Sequence, residues 1–278
     1  MLYMYLIIII FCWGTGQTLL KIGFEKSTPL DSYFMGGLVG SIVWMPYFIW
    51  NPPKFKEFTL FLPLCLAVSL CYLTYYYALN AGELSISSAI LGTYPMYTVL
   101  FSVFVAGEQL VTRQWLGLIV IIAGIGLLSF FSSKTSATAA APQIKAWLFL
   151  SLVSAILMGI ADAMTKIIID RTSVSDYCIY FNISQVLSSI LLTLAFERKS
   201  LSFKILNSKY SLAGIFLLNI GGIAFTISLA NQQASILVPL SSSYLALVTI
   251  LSWLFLGEKM SATKVSAIAI VIAGIMMI

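Results

Sequence analysis

Charge is what this sequence has least of, and histidine is absent altogether. Only 10 acidic and 15 basic residues occur in 278, and charged residues make up 9% of the chain, against about 25% in soluble domains. So little charge cannot cover a water-facing surface, which leaves lipid as the outer solvent. Without histidine, and with no cysteine or carboxylate set at ligand spacing, there is no metal site and no cofactor to expect. The four cysteines (Cys12, Cys65, Cys71, Cys178) all fall in apolar runs and read as small buried hydrophobes. The net charge of +5 is small and scattered, which excludes nucleic acid as a partner. No Walker-type loop is present, so direct drive by ATP is excluded as well. No Lys or Arg precedes Lys21, so the first segment lacks the basic region of a secretory signal and is expected to be a retained helix.

What fills the chain instead is apolar residues, 60% of it, with a mean hydropathy of +1.00. Crossing the hydrocarbon core takes about 20 helical residues. That length places spans near 2–22, 32–50, 59–80, 84–106, 112–131, 146–169, 177–196, 210–230, 233–256 and 261–278. The runs are too long and continuous for the alternating strands of a membrane barrel. Asn51-Pro52-Pro53, Gly107 and Gly257 punctuate span ends. The expected fold is an all-α polytopic membrane protein with ten transmembrane helices.

The small, polar segment 132–145 reads as a linker between residues 1–131 and 146–278. A shift of 150 positions pairs Tyr94 with Tyr244, Ser102 with Ser252, Gly107-Glu108 with Gly257-Glu258, and Gly124 with Gly274. A shift of 145 pairs Gly14 with Gly159 and Lys21 with Lys166. These matches indicate an internal duplication. An odd number of crossings per half makes the second half enter the membrane from the opposite side, giving two inverted five-helix repeats. Inverted repeats recur in secondary transporters that bind solute between the halves near the midplane.

Several motifs follow one another in a set order along the first half and then the second. They are Trp13-Gly14 with Lys21, Thr93-Tyr94-Pro95, Phe104-Val105-Ala106-Gly107-Glu108, Trp115-Leu116-Gly117 and Ala123-Gly124-Ile125, then Val238-Pro239-Leu240, Phe255-Leu256-Gly257-Glu258-Lys259 and Ala273-Gly274-Ile275. Over essentially the full chain this arrangement resembles the drug/metabolite transporter superfamily, in its ten-helix EamA-like branch. The resemblance implies a carrier of amino acids, nucleosides, drugs or other metabolites, often outward and coupled to protons or a counter-solute. It also implies a central cavity, with the fifth and tenth helices peripheral, in a multi-pass protein of the plasma membrane, the inner membrane in a bacterium. Two departures stand out: Leu245 follows Tyr244 where the family often has proline, and Met158-Gly159 stands where tryptophan-glycine would mirror Trp13-Gly14.

Asp162 is the sharpest site candidate, since it alone among the acidic residues lies more than a turn inside an expected span. An ionised group in hydrocarbon costs at least about 2.5–3.5 kcal/mol, so it should face protein or water. Lys166 is one turn on and can pair with it, either as a coupling and substrate-contacting pair or as a self-neutralising pair at a helix end. Gln17 and Lys21 form the equivalent stripe on the first helix, one turn beyond Trp13. Lys21 either lines the cavity or snorkels to the interface. Tyr72, Tyr76 and Asn80 share one face of the third span, and Tyr94 and Tyr244 mark the fourth and ninth, which Pro95 and Pro239 are expected to kink. Asn219 in the eighth span is a further cavity candidate, with Thr226, Asn182 and Gln185 weaker ones. Glu108 and Glu258 follow helix-ending glycines and read as parts of tight hairpins, and Gly36-Gly37 with Gly40 fits close helix packing or a homodimer face.

Ten of the 15 Lys and Arg follow odd-numbered spans, which by the positive-inside rule puts both termini outside. The family resemblance puts them inside, and orientation stays open at this point. The functional expectation is a secondary transporter, an exporter or exchanger of small organic metabolites such as amino acids. Its partners would be that small-molecule substrate, a proton or counter-solute, and membrane lipid, in a monomer or a homodimer. A passive facilitator or a lipid-head-group flippase is the alternative within transport. A membrane-embedded enzyme would need convergent carboxylates, histidines or metal ligands that the chain does not offer.

Overall fold

Among the described residues the long apolar runs form helices, because backbone polar groups in lipid must be satisfied within the segment. The computed structural model describes residues 2–24, 26–81, 91–134, 144–195, 205–206, 208–256 and 261–277. The helices are α1 (Leu2–Gly23), α2 (Pro29–Val43), α3 (Met45–Trp50), α4 (Phe58–Ala81), α5 (Tyr94–Phe104), α6 (Thr112–Lys134), α7 (Ile144–Arg171), α8 (Val174–Ala195), α9 (Lys209–Asn231), α10 (Ala234–Ser241), α11 (Tyr244–Leu256) and α12 (Ala262–Met277). Among the described residues, 6 stretches are long and apolar enough to cross a membrane, and shorter apolar helices accompany them. The Gly257-Glu258 turn and most of the expected linker lie outside the described residues.

Local sequence explains where helices begin. Thr28 accepts the Asp31 N–H at 3.1 Å ahead of Pro29, and Ser173 accepts the Asp176 N–H at 3.0 Å, so α2 and α8 start with matching side-chain caps. Gly107 takes a φ of +74°, the left-handed turn that ends α5. The expected second span is not one helix: it breaks at Trp44 and resumes with Pro46 in the first turn of α3. The fourth and ninth expected spans break too, at Gly92-Thr93 and at Ser242-Ser243, immediately before Tyr94 and Tyr244. Pro95 sits in the first turn of the restarted α5, where its missing N–H costs nothing, while Pro239 lies inside α10.

Large apolar side chains cover the outside of the bundle as well as its core, and polar ones are buried among them. Phe11, Trp50, Phe104, Phe149 and Leu194 face outward, whereas serines, threonines, Asn182, Gln185, Asp162 and Asp176 are buried. Helix partnerships come in exchanged pairs. α1 lies along α9 and α7 along α4; α11 lies on α1 and α5 on α7; α4 meets α8 and α9 meets α2. α2 packs on α8, α6 on α12, and α5 on α10. Equating α1 with α7, α2 with α8, α4 with α9, α5 with α10–α11, and α6 with α12 maps these partnerships onto one another.

The same exchange holds at single residues. A Cβ on Gly14 would meet the Leu247 side chain at 2.7 Å, and one on Gly159 would meet Tyr97 Cβ at 2.6 Å. Gly14 and Gly159 are equated by the shift of 145, and Tyr97 and Leu247 by the shift of 150. Gly124 likewise abuts Val271, and Gly274 abuts Ile121. Gly16 and Gly214 each expose backbone to the other, so α1 and α9 approach as closely as small residues allow.

Candidate functional site

The broken helices and the α1, α4, α7 and α9 faces leave a central cavity of about 160 Å³. Asp162 reaches it from the middle of α7 and is 4% exposed. The Tyr72 hydroxyl on α4 donates to Asp162 Oδ1. Tyr72 in turn meets the Phe181 ring edge-on at 5.5 Å, and Phe181 stacks on Tyr177 at 5.7 Å. The Tyr177 hydroxyl is 3.0 Å from Thr165 Oγ1. This aromatic wall forms because α8 brings Tyr177 and Phe181 one turn apart against α4 and α7.

On the other side of the cavity, Trp13 of α1 packs on Phe225 at 5.0 Å and edge-on to Tyr244 at 5.7 Å. Its indole N–H donates to the Leu218 carbonyl at 3.3 Å. Gln17 donates to the Tyr244 hydroxyl at 3.1 Å, and Ser242 donates to the Tyr94 hydroxyl at 2.7 Å. Tyr94 and Tyr244 are both buried at the helix breaks, so each break carries a hydroxyl to the cavity. Asn219 on α9 donates to the carbonyls of Gly36 at 3.3 Å and Ile215 at 3.0 Å.

Of the residues singled out in the sequence, Trp13, Gln17, Tyr72, Tyr76 and Tyr94 line this cavity, together with Asp162, Asn219 and Tyr244. Lys21, Asn80 and Lys166 do not line it. Lys21 ends α1 in its last turn, and Asn80 is exposed near the end of α4. The expected Asp162–Lys166 pair is corrected: Lys166 Nζ bonds Asp170 Oδ1 at 2.7 Å, one turn further toward the helix end. A lysine reaches water more readily in that direction, and Asp170 is there to meet it. Among the described residues, no Lys or Arg forms an ion pair with Asp162.

Sequence reading passed over Tyr33, Trp44, Tyr177, Phe181 and Phe225, all in the lining. Their type gave no signal, since aromatic residues are also ordinary lipid-facing and interfacial residues. It also passed over Asp176, which is 1% exposed and accepts the backbone N–H groups of Lys54 at 2.7 Å and Phe55 at 2.8 Å. The Ser173-x-x-Asp176 spacing was the available clue, because it is a capping pattern repeated as Thr28-x-x-Asp31. Glu108 has a structural role, but a different one from a hairpin brace. Its carboxyl accepts the N–H groups of Ala234 and Ser235 at 2.9 Å each, and the Ser235 hydroxyl, and so caps α10.

The sequence model of the EamA-like transporter family matches residues 1–130 and 145–278. An uncharacterized transporter of Archaeoglobus fulgidus is 24% identical over 272 residues, covering 96% of this chain and 94% of that protein. An uncharacterized protein of Methanocaldococcus jannaschii is 28% identical over 132 residues, which is 47% of this chain and 94% of its own length. A crystal structure at 17% identity superposes with a TM-score of 0.76, covering 99% of this chain and 94% of that one, and so shares the fold. With the family pattern matched over nearly its whole length and an apolar exterior around a cavity that holds a buried carboxyl, the chain is a multi-pass membrane protein that belongs to the EamA-like transporter family.

Proposed function

We propose that this chain is a secondary transporter, an exporter or exchanger of small organic metabolites, working by alternating access to the central cavity. In this reading ten spans form two five-helix repeats, 1–131 and 146–278, joined by 132–145 and inserted in the plasma membrane with opposite orientations. The observation that carries it is the exchange of helix partnerships around a cavity lined by both halves. A two-fold relation of that kind gives two equivalent ways of rocking one half on the other around a fixed site. The match of one family pattern to both segments, and a relative covered over 94% of its length by 47% of this chain, support the half as the repeating unit.

Asp162 is the coupling residue in this reading, carrying a proton or responding to a counter-solute as the cavity changes sides. Its burial, its Tyr72 hydrogen bond and its lack of a described cationic partner support the assignment. The test is solute flux in proteoliposomes with and without an imposed pH gradient. Wild-type protein is expected to accumulate solute against its gradient, and Asp162→Asn to equilibrate solute without accumulating it. Undiminished uphill transport in Asp162→Asn would remove Asp162 from coupling, and the absence of flux for any small solute would remove the carrier.

A further inference from the structure

We propose that the cavity takes a small organic cation, a protonated or quaternary amine on an apolar or aromatic body, with its charge against Asp162. The inference rests on the cavity being the transport site and names the substrate class of that site.

Three features of the lining converge on this chemistry. The first is charge. Among the described residues Asp162 is the only acid in the lining, and no Lys or Arg joins it there. Lys166, which the sequence offers as a neutralising partner, is held by Asp170 instead. A buried carboxyl without a cation of its own gains most from a ligand that brings one.

The second feature is hydrogen-bonding polarity. Each indole and amide nitrogen in the lining already donates to a protein acceptor. Trp13 donates to Leu218 O at 3.3 Å, Trp44 to Asn219 O at 3.0 Å, and Gln17 to the Tyr244 hydroxyl at 3.1 Å. Gln185 donates to Tyr33 O at 3.0 Å, and Asn219 to Gly36 O and Ile215 O. A backbone carbonyl can only accept, so the amide orientations of Gln185 and Asn219 are fixed. Their side-chain oxygens accept no hydrogen bond among the described residues. Gln17 and Gln185 each keep a second N–H, while the Asp162 carboxylate and the side-chain oxygens of Gln185 and Asn219 are acceptors that an ammonium satisfies. Among the described lining residues an anion would meet Asp162 with no Lys or Arg to offset it, and a zwitterion would bring a carboxylate with no cationic partner there.

The third feature is shape. Half of the lining side chains are aromatic, and ring faces attract cations. The volume of about 160 Å³ is below the roughly 300–1,000 Å³ of pockets for drug-sized ligands, which limits the solute to a small body.

An isosteric series tests the proposal on full-length protein in nanodiscs: 2-phenylethylamine in its protonated form, 3-phenylpropionate, phenylalanine and 2-phenylethanol. Titration calorimetry is expected to show the amine binding at least ~10-fold tighter than the other three. Asp162→Asn should bring amine and alcohol to within about twofold, and Asp170→Asn should leave the series unchanged. Equal or tighter binding of the anion, zwitterion or alcohol by the wild type overturns the proposal whether or not the variants fold, and so does an unchanged preference in Asp162→Asn. Flux of the tightest binder in proteoliposomes separates the two readings. Transport of 3-phenylpropionate overturns the cation and leaves the carrier, whereas tight amine binding without flux leaves the cation site and overturns the carrier.

Discussion

α1 and α7 are built on one plan and do different things with it. Gly14 and Gly159 let each helix approach a partner in the opposite half, and Lys21 and Lys166 stand at the same register nearer the helix ends. Between them, at the same shift of 145, Gln17 answers to Asp162. Gln17 bonds Tyr244, and Asp162 is bonded by Tyr72, so each reaches across to a tyrosine of the other half. The matched contacts supply the geometry twice, and among the described lining residues the charge is supplied once. In the proposed reading the cavity thereby acquires a preferred ligand end.

The strongest way to break this difference is to make α7 resemble α1. Asp162→Gln keeps the frame and removes the charge that the Tyr72 hydroxyl faces. Solute accumulation in proteoliposomes is expected to fall to the level of empty vesicles, while the protein remains monodisperse in detergent. Adding Gln17→Asp to that variant returns a carboxyl to the mirrored position. It is not expected to restore accumulation, because Tyr244 and Trp13 surround that position where Tyr72 and Phe181 surround Asp162. Restoration would show that the presence of a charge matters and its place does not.

A smaller effect separates the two glycines. A Cβ at Gly159 would press on Tyr94 O at 2.7 Å and Thr98 N at 2.9 Å, both backbone atoms that cannot turn aside. At Gly14 the obstruction is the Leu247 side chain, nearest at its Cδ2 tip at 2.7 Å, which can change rotamer. Gly159→Ala is expected to cost about 1–3 kcal/mol through overpacking, and Gly14→Ala less than about 1 kcal/mol. Unfolding in mixed micelles measures both, and equal costs would mean that the two helices are buttressed alike.

How much of this was legible beforehand follows from which signals are local. Helices were legible in the runs of apolar residues, and Gly14, Gly159, Tyr94 and Tyr244, equated by two shifts of the sequence, mark helices that exchange partners in the structure. Eight of the cavity candidates line the cavity because polar residues within apolar runs have few other places to go. The side-chain partners were not legible. Lys166 sits four residues from both Asp162 and Asp170, and spacing alone does not choose between them. The break at Trp44 escaped notice because Pro46 sits inside a continuous apolar run, and the fold reveals it only as a new first turn. Tyr177 and Phe181 were hidden for the opposite reason, since a helix start rich in aromatics looks the same whether it faces lipid or a cavity.

Glu108 offers a contrast of another kind, between an acid that holds the frame and one that acts in the cavity. Its carboxyl fixes the first turn of α10 across the interface between the halves. Glu108→Ala is expected to cost about 1–2 kcal/mol, the range for a lost helix cap. The loss should appear in the unfolding midpoint and in faster amide exchange at Ala234 and Ser235, with ligand preference in the isosteric series unchanged. A change in preference as large as that of Asp162→Asn would make Glu108 part of the site.

The smallest effect bears on the register that α1 and α7 share. Lys166 and Asp170 form a bond one turn apart, with Asp170 half exposed to solvent. Pairs of this kind contribute about 0.3–0.5 kcal/mol and are screened by salt. Lys166→Ala should therefore shift the unfolding midpoint within that range, less at high ionic strength, and leave solute accumulation at the wild-type level. Lys166 and Asp162 stay apart because Asp162 is turned to the cavity and Lys166 toward the end of the helix. If Lys166→Ala abolished accumulation as Asp162→Gln does, the lysine would have to reach Asp162 in another state of the transport cycle. The charge of the cavity would then be shared between them, and the preference for a cationic solute would lose its main support.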